Sequence, residues 1–215
     1  MEMKGRKILV VIAHPDDETL GCGGTISRWV REGATCKVVL PLQRGDVRGL
    51  AHQAELAEHF AHACEILNAE ALMLDTGLVD LTADQHVEQI HAALLPHIEW
   101  SDMVLTHWPH DVHQAHRAVS RAVEIGTRPF RRRRSVAFFE TATSTDQAYD
   151  TSFSPNMFVL LEEEDAQRKV AAMNAYPTEQ AFGRQADDLL VRLKSRGLQI
   201  GAPYAEAFML ARHFM

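Results

Sequence analysis

The sequence predicts an α/β fold: a single Rossmann-like domain with a mostly parallel sheet flanked by helices. Three observations lead there. Short, continuous apolar runs alternate with longer segments of helical periodicity, the pattern of repeated βαβ units. The stretches after several of these runs are polar and rich in ionisable groups, as expected where an open parallel sheet binds ligands beyond its strand ends. At 215 residues, the chain fits one domain over residues 1–215 and has length for a substantial core.

Lys7–Ala13 reads as a strand buried on both faces, because its apolar run does not alternate. Thr19–Glu32 has helical spacing and stops at Gly33, a natural cap. Within it, Gly21, Gly23 and Gly24 are expected to let the helix approach the sheet. They do not form a dinucleotide loop, since charged residues fill the preceding turn. Cys36–Leu42 is the second strand, and Leu50–Leu67 a long helix with Leu56, Phe60, Ala63, Cys64 and Leu67 on one stripe. Ala71–Leu74 is a short strand, and Ala83–Trp100 a helix with Pro96 near its end. Met103–Thr106 is the fourth strand, followed by a helix over His113–Ile125 closed by Gly126. Val136–Phe139 and Met157–Leu161 complete six strands. Residues 162–215 read as helical with a tail punctuated by Gly and Pro.

The composition is ordinary for a globular protein, with 46% hydrophobic and 24% charged residues. A net charge of −7 argues against a nucleic-acid or anionic-membrane partner. Arg128 and Arg131 to Arg134 form the one basic cluster, read as a solvated loop. No apolar segment approaches the length of a membrane span, and the N-terminus has no signal-peptide pattern. Cys22, Cys36 and Cys64 form no Cys-x-x-Cys pair and read as small, partly buried thiols in a reducing compartment. A cytoplasmic protein is expected, with its state of self-association open.

The chemistry concentrates in two places. Ala13-His14-Pro15-Asp16-Asp17-Glu18 puts an imidazole and adjacent carboxylates where the first strand gives way to a loop. Such a turn could merely cap the next helix, but caps rarely need three ionisable groups in four positions. Imidazole and carboxylate are suitable ligands for a divalent cation, and a further carboxylate beside them can take a proton from water. The second place is His113-Gln-Ala-His116, after the fourth strand, in a series that also includes His107 and His110. Residues three apart share a helix face, so both rings can reach one site, but spacing does not separate their roles. His59 and His62 have the same spacing inside the long helix, far from a strand end, and are read as solvated.

Together these elements resemble the zinc-dependent N-acetylglucosaminyl deacetylases, the PIG-L or LmbE-like group. The first motif is highly specific, and the likeness extends over Ser154–Phe158, the Lys169, Tyr176 and Gln180 stretch, and Gly201–Phe208. The resemblance implies zinc bound by His14, Asp17 and His116, with Asp16 as general base. It gives His113 the role of stabilising the oxyanion or protonating the departing amine, and makes Asp80 a sugar contact. Two departures stand out. The family often has Asp where this chain has Ala115, so Asp111 is expected to orient a cationic His113 instead. The family's arginine early in the long helix is absent from Leu50–Leu67, leaving Arg44 or Arg48 in the preceding loop to substitute in substrate recognition.

The leading expectation is removal of an N-acetyl group from a glucosamine-type sugar or sugar conjugate by metal-assisted water attack, with zinc or an exchangeable divalent relative. Hydrolysis of another N-acyl amine, and a non-catalytic metal- or sugar-binding protein, are the alternatives. A binder has no use for the base Asp16.

Overall fold

The computed structural model describes residues 2–149 and 151–214, without the side chains of Arg48 and Leu50. In chain order the elements are β1 (Lys7–Val11), α1 (Asp17–Arg31), β2 (Thr35–Leu40), α2 (Val47–Ile66), β3 (Glu70–Met73), α3 (Val87–Trp100), β4 (Met103–His107), α4 (Gln114–Gly126), β5 (Ser135–Phe139), β6 (Met157–Leu161), α5 (Glu163–Asn174), α6 (Ala186–Leu198) and β7 (Tyr204–Arg212). They form one seven-stranded sheet in the order β3-β2-β1-β4-β5-β7-β6. The first five strands are parallel, and β7 runs antiparallel to both of its neighbours.

Side chains on a strand point alternately to opposite faces, so β1 feeds two cores. Ile8, Val10 and Ile12 meet Leu20 and Ile26 of α1, Phe60 of α2 and Met173 of α5. Leu9 and Val11 meet Ile90 and Leu94 of α3 and Val119 and Val123 of α4. Both faces are therefore covered, which explains the unbroken apolar run of this strand. Strand order reverses between β1 and β4, and the crevice beyond their carboxyl ends is where such folds bind ligands.

α1 lies close against the sheet because it carries glycines. A Cβ on Gly21 would overlap the Phe139 ring, and one on Gly24 would overlap Leu161. Gly21→Ala is expected to cost about 1–3 kcal/mol through overpacking, read as a lower midpoint of denaturant unfolding. The helix is also interrupted at Cys22 (φ −149°, ψ 20°). The amides of Gly24 and Thr25 donate to the buried carboxylate of Glu206 on β7, at 3.0 and 2.7 Å. Lys169 of α5 pairs with the same carboxylate at 2.6 Å.

The expected strands are found, with ends shifted by a few residues. Three expectations change. The helix proposed over Ala83–Trp100 begins only at Val87, after a 3₁₀ turn over Asp80–Gln85. The tail of residues 162–215, read as helical and punctuated by Gly and Pro, contains β7, inserted between β5 and β6. His59 is not solvated like the exposed His62: its ring lies 6.4 Å from that of Tyr176. All three cysteines are free thiols as expected but fully buried, and burial pushes the Cys36 thiol up to about 12. No helix among the described residues is long and apolar enough to cross a membrane.

Candidate metal centre

The loop after β1 turns sharply at Asp16, whose φ of 100° lies in the left-handed region. A non-glycine residue there costs about 1–3 kcal/mol and persists only when its surroundings enforce it. The turn wraps the chain around the next carboxylate. Asp17 Oδ2 accepts from the amides of His14 (2.7 Å) and Ala13 (3.3 Å). Three imidazoles surround the same side chain: His14 Nδ1 at 3.5 Å, His107 Nε2 at 3.3 Å and His116 Nε2 at 3.5 Å. Buried among these rings, Asp17 is held well below the usual carboxylate range, chiefly by His116 and His107, against the upward pull of desolvation.

His14 Nδ1 lies 3.3 Å from His116 Nε2, which closes a triangle of His14, Asp17 and His116 with edges of 3.3, 3.5 and 3.5 Å. Donors on a tetrahedral zinc at about 2.0–2.2 Å stand about 3.3–3.6 Å apart, and each pairwise approach here falls within that range. The edges reach Asp17 through different oxygens of one carboxylate. Among the described residues, two overlapping triads have donor atoms within 4.8 Å of one another: His14, His113 and His116, and Asp17, His107 and His116. His107 was assigned no role from sequence, although it is a member of the evenly spaced series and ends β4.

Each ligand candidate has a partner behind it. His14 Nε2 lies 3.2 Å from Asp80 Oδ2, and Asp80 Oδ1 accepts from the amides of Gly45 (2.7 Å) and Leu81 (2.8 Å). Asp80 was expected to contact a sugar. It lines the cavity, with Oδ2 toward His14 and Oδ1 anchored by the two backbone amides. Carboxylates behind metal-binding imidazoles fix ring orientation and raise basicity.

Asp111, expected to orient His113, is placed behind a different ring. Its carboxylate faces His116, at 3.2 Å from Nδ1, and accepts from Ser144 Oγ, from Thr145 Oγ1 (2.6 Å) and from the backbone amide of His113 (2.8 Å). Desolvation opposes ionisation, but His116 and the two hydroxyls outweigh it and hold Asp111 well below the usual range. It is buried, lies outside the cavity lining, and meets the ring of His116 and the backbone of His113. The His113 ring is set by the backbone: the amide of Ala115 donates to His113 Nδ1 at 3.3 Å, capping α4. With Nδ1 accepting from that amide, Nε2 is the nitrogen free to donate. Burial, then the charge of His14, lowers the affinity of His113 for a second proton. Asp111→Asn is expected to weaken metal binding by about 10–100-fold. Its effect on turnover should add to that of His113→Ala, as measured by metal titration and a double-variant cycle.

Asp16 stands outside the triangle. It is 2% exposed, and Arg184 Nη1 donates to its Oδ2 at 3.0 Å. Burial, then the charge of Asp17, pushes its carboxyl well above the ordinary range, while Arg184 pulls it down. Arg184 was not anticipated, because nothing local in the sequence links position 184 to position 16. Arg44 also lines the cavity, but its charge meets Glu179 (3.1 Å) and Asp46 (3.2 Å). The side chain of Arg48 lies outside the described residues. Glu18, the last residue of the motif, is fully buried, and burial pushes it up to about 7. Its Oε1 accepts from Thr19 Oγ1 (2.6 Å) and Tyr176 OH (2.8 Å).

These groups open on a cavity of about 520 Å³, with Leu81 and Val112 exposed along its wall. The arrangement offers a three-donor cation site, an unligated carboxylate beside it and an N–H donor from His113.

Known proteins share this architecture. The zinc-inhibited form of teicoplanin deacetylase Orf2 has 14% sequence identity and a TM-score of 0.74, covering 94% of this chain and 96% of that one. The A40926 pseudoaglycone deacetylase Dbv21 has 16% identity and a TM-score of 0.75 over the full length of both chains. GalB, the 4-carboxy-2-hydroxymuconate hydratase of Pseudomonas putida KT2440, has 18% identity, a TM-score of 0.69 and 98% coverage of both. At such identities the likeness shows the fold. Local sequence similarity is higher. The 1D-myo-inositol 2-acetamido-2-deoxy-alpha-D-glucopyranoside deacetylase of Tsukamurella paurometabola is 59% identical over 34 residues, 16% of this chain and 11% of that protein. The enzyme of the same name from Mycobacterium sp. strain KMS is 44% identical over 55 residues, 25% of this chain and 18% of that one. The matched stretches thus span less than a fifth of these relatives. The sequence pattern of the PIG-L family, described as GlcNAc-PI de-N-acetylase, matches residues 9–125, more than half of the chain. On that match the protein belongs to the PIG-L family.

Proposed function

We propose that this protein is a metal-dependent hydrolase that removes the N-acetyl group from a glucosamine-type sugar or sugar conjugate. The reading rests most on one observation: the His14, Asp17 and His116 donors are spaced for a single cation, with the unligated carboxylate of Asp16 beside them. Family membership and relatives named for a 2-acetamido-2-deoxy-glucopyranoside support the substrate class. His14, Asp17 and His116 would hold the ion, and their imidazole and carboxylate donors suit zinc or a related divalent metal. Zinc in such a site acidifies water and polarises an amide carbonyl.

Asp16 takes a proton from the attacking water, whose oxygen bonds to the carbonyl carbon. His113 donates its Nε2 proton as a hydrogen bond to the oxygen on which charge develops, a contribution that requires no cationic ring. The C–N bond then breaks, and the proton held by Asp16 passes to the departing amine nitrogen, giving acetate and a free amine. Asp80 and Asp111 hold the two imidazoles in place throughout. Exposed Leu81 and Val112 beside the cavity favour an apolar substituent next to the sugar, or a longer acyl chain, as the second reading.

Acetate release from N-acetylated amino sugars and their conjugates, run beside N-acyl analogues of increasing length, decides between these. Turnover confined to long acyl chains would shift the assignment to a general N-acyl amidohydrolase. No turnover of any amide by the zinc-loaded protein would remove the enzymatic reading.

A further inference from the structure

We propose that Arg184 is a positioning residue for Asp16, aiming the carboxylate at the attacking water from a part of the chain remote from both motifs. The proposal rests on the reading of Asp16 as the proton acceptor. Three non-glycine residues have positive φ among those described: Asp16 at 100°, Asn68 at 56° and Thr143 at 66°. Two of the three converge on this contact. Arg184 Nη1 donates to Asp16 Oδ2 at 3.0 Å, and its Nε donates to Thr143 Oγ1 at 2.8 Å. Strain of this kind is retained where surrounding structure holds a functional group in place.

The arginine is itself held from behind. Asp188 Oδ2, in the first turn of α6, accepts from the amides on either side of it, Gly183 at 2.8 Å and Gln185 at 3.1 Å. Gly183 has a φ of 87°, which a side chain rarely adopts, so the turn presents residue 184 in one direction. Farther back, Tyr176 is anchored to Glu18, and Glu179 pairs with Arg44 across the cavity. The segment between α5 and α6 is thereby pinned on both sides of Asp16. The Asp16 side chain is 3% exposed and that of Arg184 24%, so this is a partly shielded pair with one charge facing the cavity.

A guanidinium fork can meet Thr143 and Asp16 together, whereas the single ammonium of lysine cannot reproduce both bonds. Geometry matters here because about 1 Å of misplacement at a reacting group can cost about 10²-fold in rate. Residue 184 also lies beyond the part of the chain matched by the family pattern, residues 9–125.

The test uses the zinc-loaded full chain and the N-acetylated sugar conjugate that it hydrolyses fastest. Arg184→Ala is expected to lower kcat by about 10²-fold with KM and bound zinc nearly unchanged, and added guanidinium ion should restore part of the rate. Arg184→Lys and Thr143→Ala should fall between this variant and the parent, and they keep the proposal testable if Arg184→Ala folds poorly. Arg192→Ala, which removes another α6-region arginine paired with Asp146 at 3.0 Å, serves as the control with unchanged kcat. Crystal structures of the parent and Arg184→Ala supply a readout independent of turnover: the Asp16 carboxylate should leave its single orientation. A raised KM with unchanged kcat would make Arg184 a substrate contact and overturn the proposal. So would an Asp16 carboxylate that stays in place in the variant crystal. Absence of turnover in the parent would instead count against the proposed reaction, while the crystal comparison still decided the positioning role.

Discussion

Asp16→Asn is expected to keep its metal and fold but lose about 10²–10⁴ in kcat, the usual contribution of a positioned general base. Asparagine has nearly the same shape as aspartate, and its amide oxygen can still accept from Arg184, so the buried pocket is preserved. What it cannot do is take a proton. Asp16 also lies outside the triangle of close donors formed by His14, Asp17 and His116, so the substitution removes no member of that set. Elemental analysis and acetate release, measured on the same preparation, check both halves of the expectation. Loss of metal together with rate would make Asp16 a ligand. The pH profile adds a signed test. The carboxyl is raised above its ordinary value, and only its ionised form accepts a proton, so the rate should climb with pH through that raised value. The Asn variant should lack this acidic limb.

His116→Ala is expected to bring bound metal to background and turnover with it, a larger loss than the roughly 10–100-fold typical for a residue behind a ligand. His116 is 2% exposed and takes part in two of the three donor–donor edges, to His14 at 3.3 Å and to Asp17 at 3.5 Å. Its removal leaves Asp111 buried with one partner fewer, for which a stability loss of about 1–3 kcal/mol is expected. Full metal occupancy in this variant, measured by elemental analysis, would move the centre to the remaining donors, His14 and His113 or Asp17 and His107.

The backbone architecture was legible where residue pattern and tertiary role coincide. β1 is a continuous apolar run because helices cover both faces of the sheet, and the run survives translation into structure with only its ends moved. β7 was not legible. Ala205-Glu-Ala-Phe-Met-Leu-Ala211 consists largely of good helix formers, and only its pairing with β5 and β6 makes it a strand. Glu206 looks like a surface residue in sequence, yet it is buried because it accepts two amides at the break in α1.

The site divides in the same way. His14, Asp16, Asp17, His113 and His116 come from two compact motifs and meet as their strand ends implied. The wiring behind them could not be read. Asp111 lies two residues from His113, and proximity in sequence favoured that ring. The chain instead turns so that the His113 amide reaches the carboxylate, whose side then faces His116. Arg184 reaches Asp16 across 168 positions, a distance at which no local pattern carries information.

The placement of β7 also orders events in time. Strand β6 is hydrogen-bonded to β7 alone, so it has no partner in the sheet until residues 204–212 have left the ribosome. The parallel core around β1 can assemble earlier, but β6 must wait as an exposed apolar strand, and such unpaired edges invite association with other chains. Pairings this distant in sequence are slow to form. The same late strand brings Glu206 to the broken helix that follows the metal loop, so assembly of that helix depends on the arrival of the last strand. A chain ending before residue 204 would be expected to expose β6, lose the Glu206 contact and be cleared or aggregate rather than persist as a partly active enzyme.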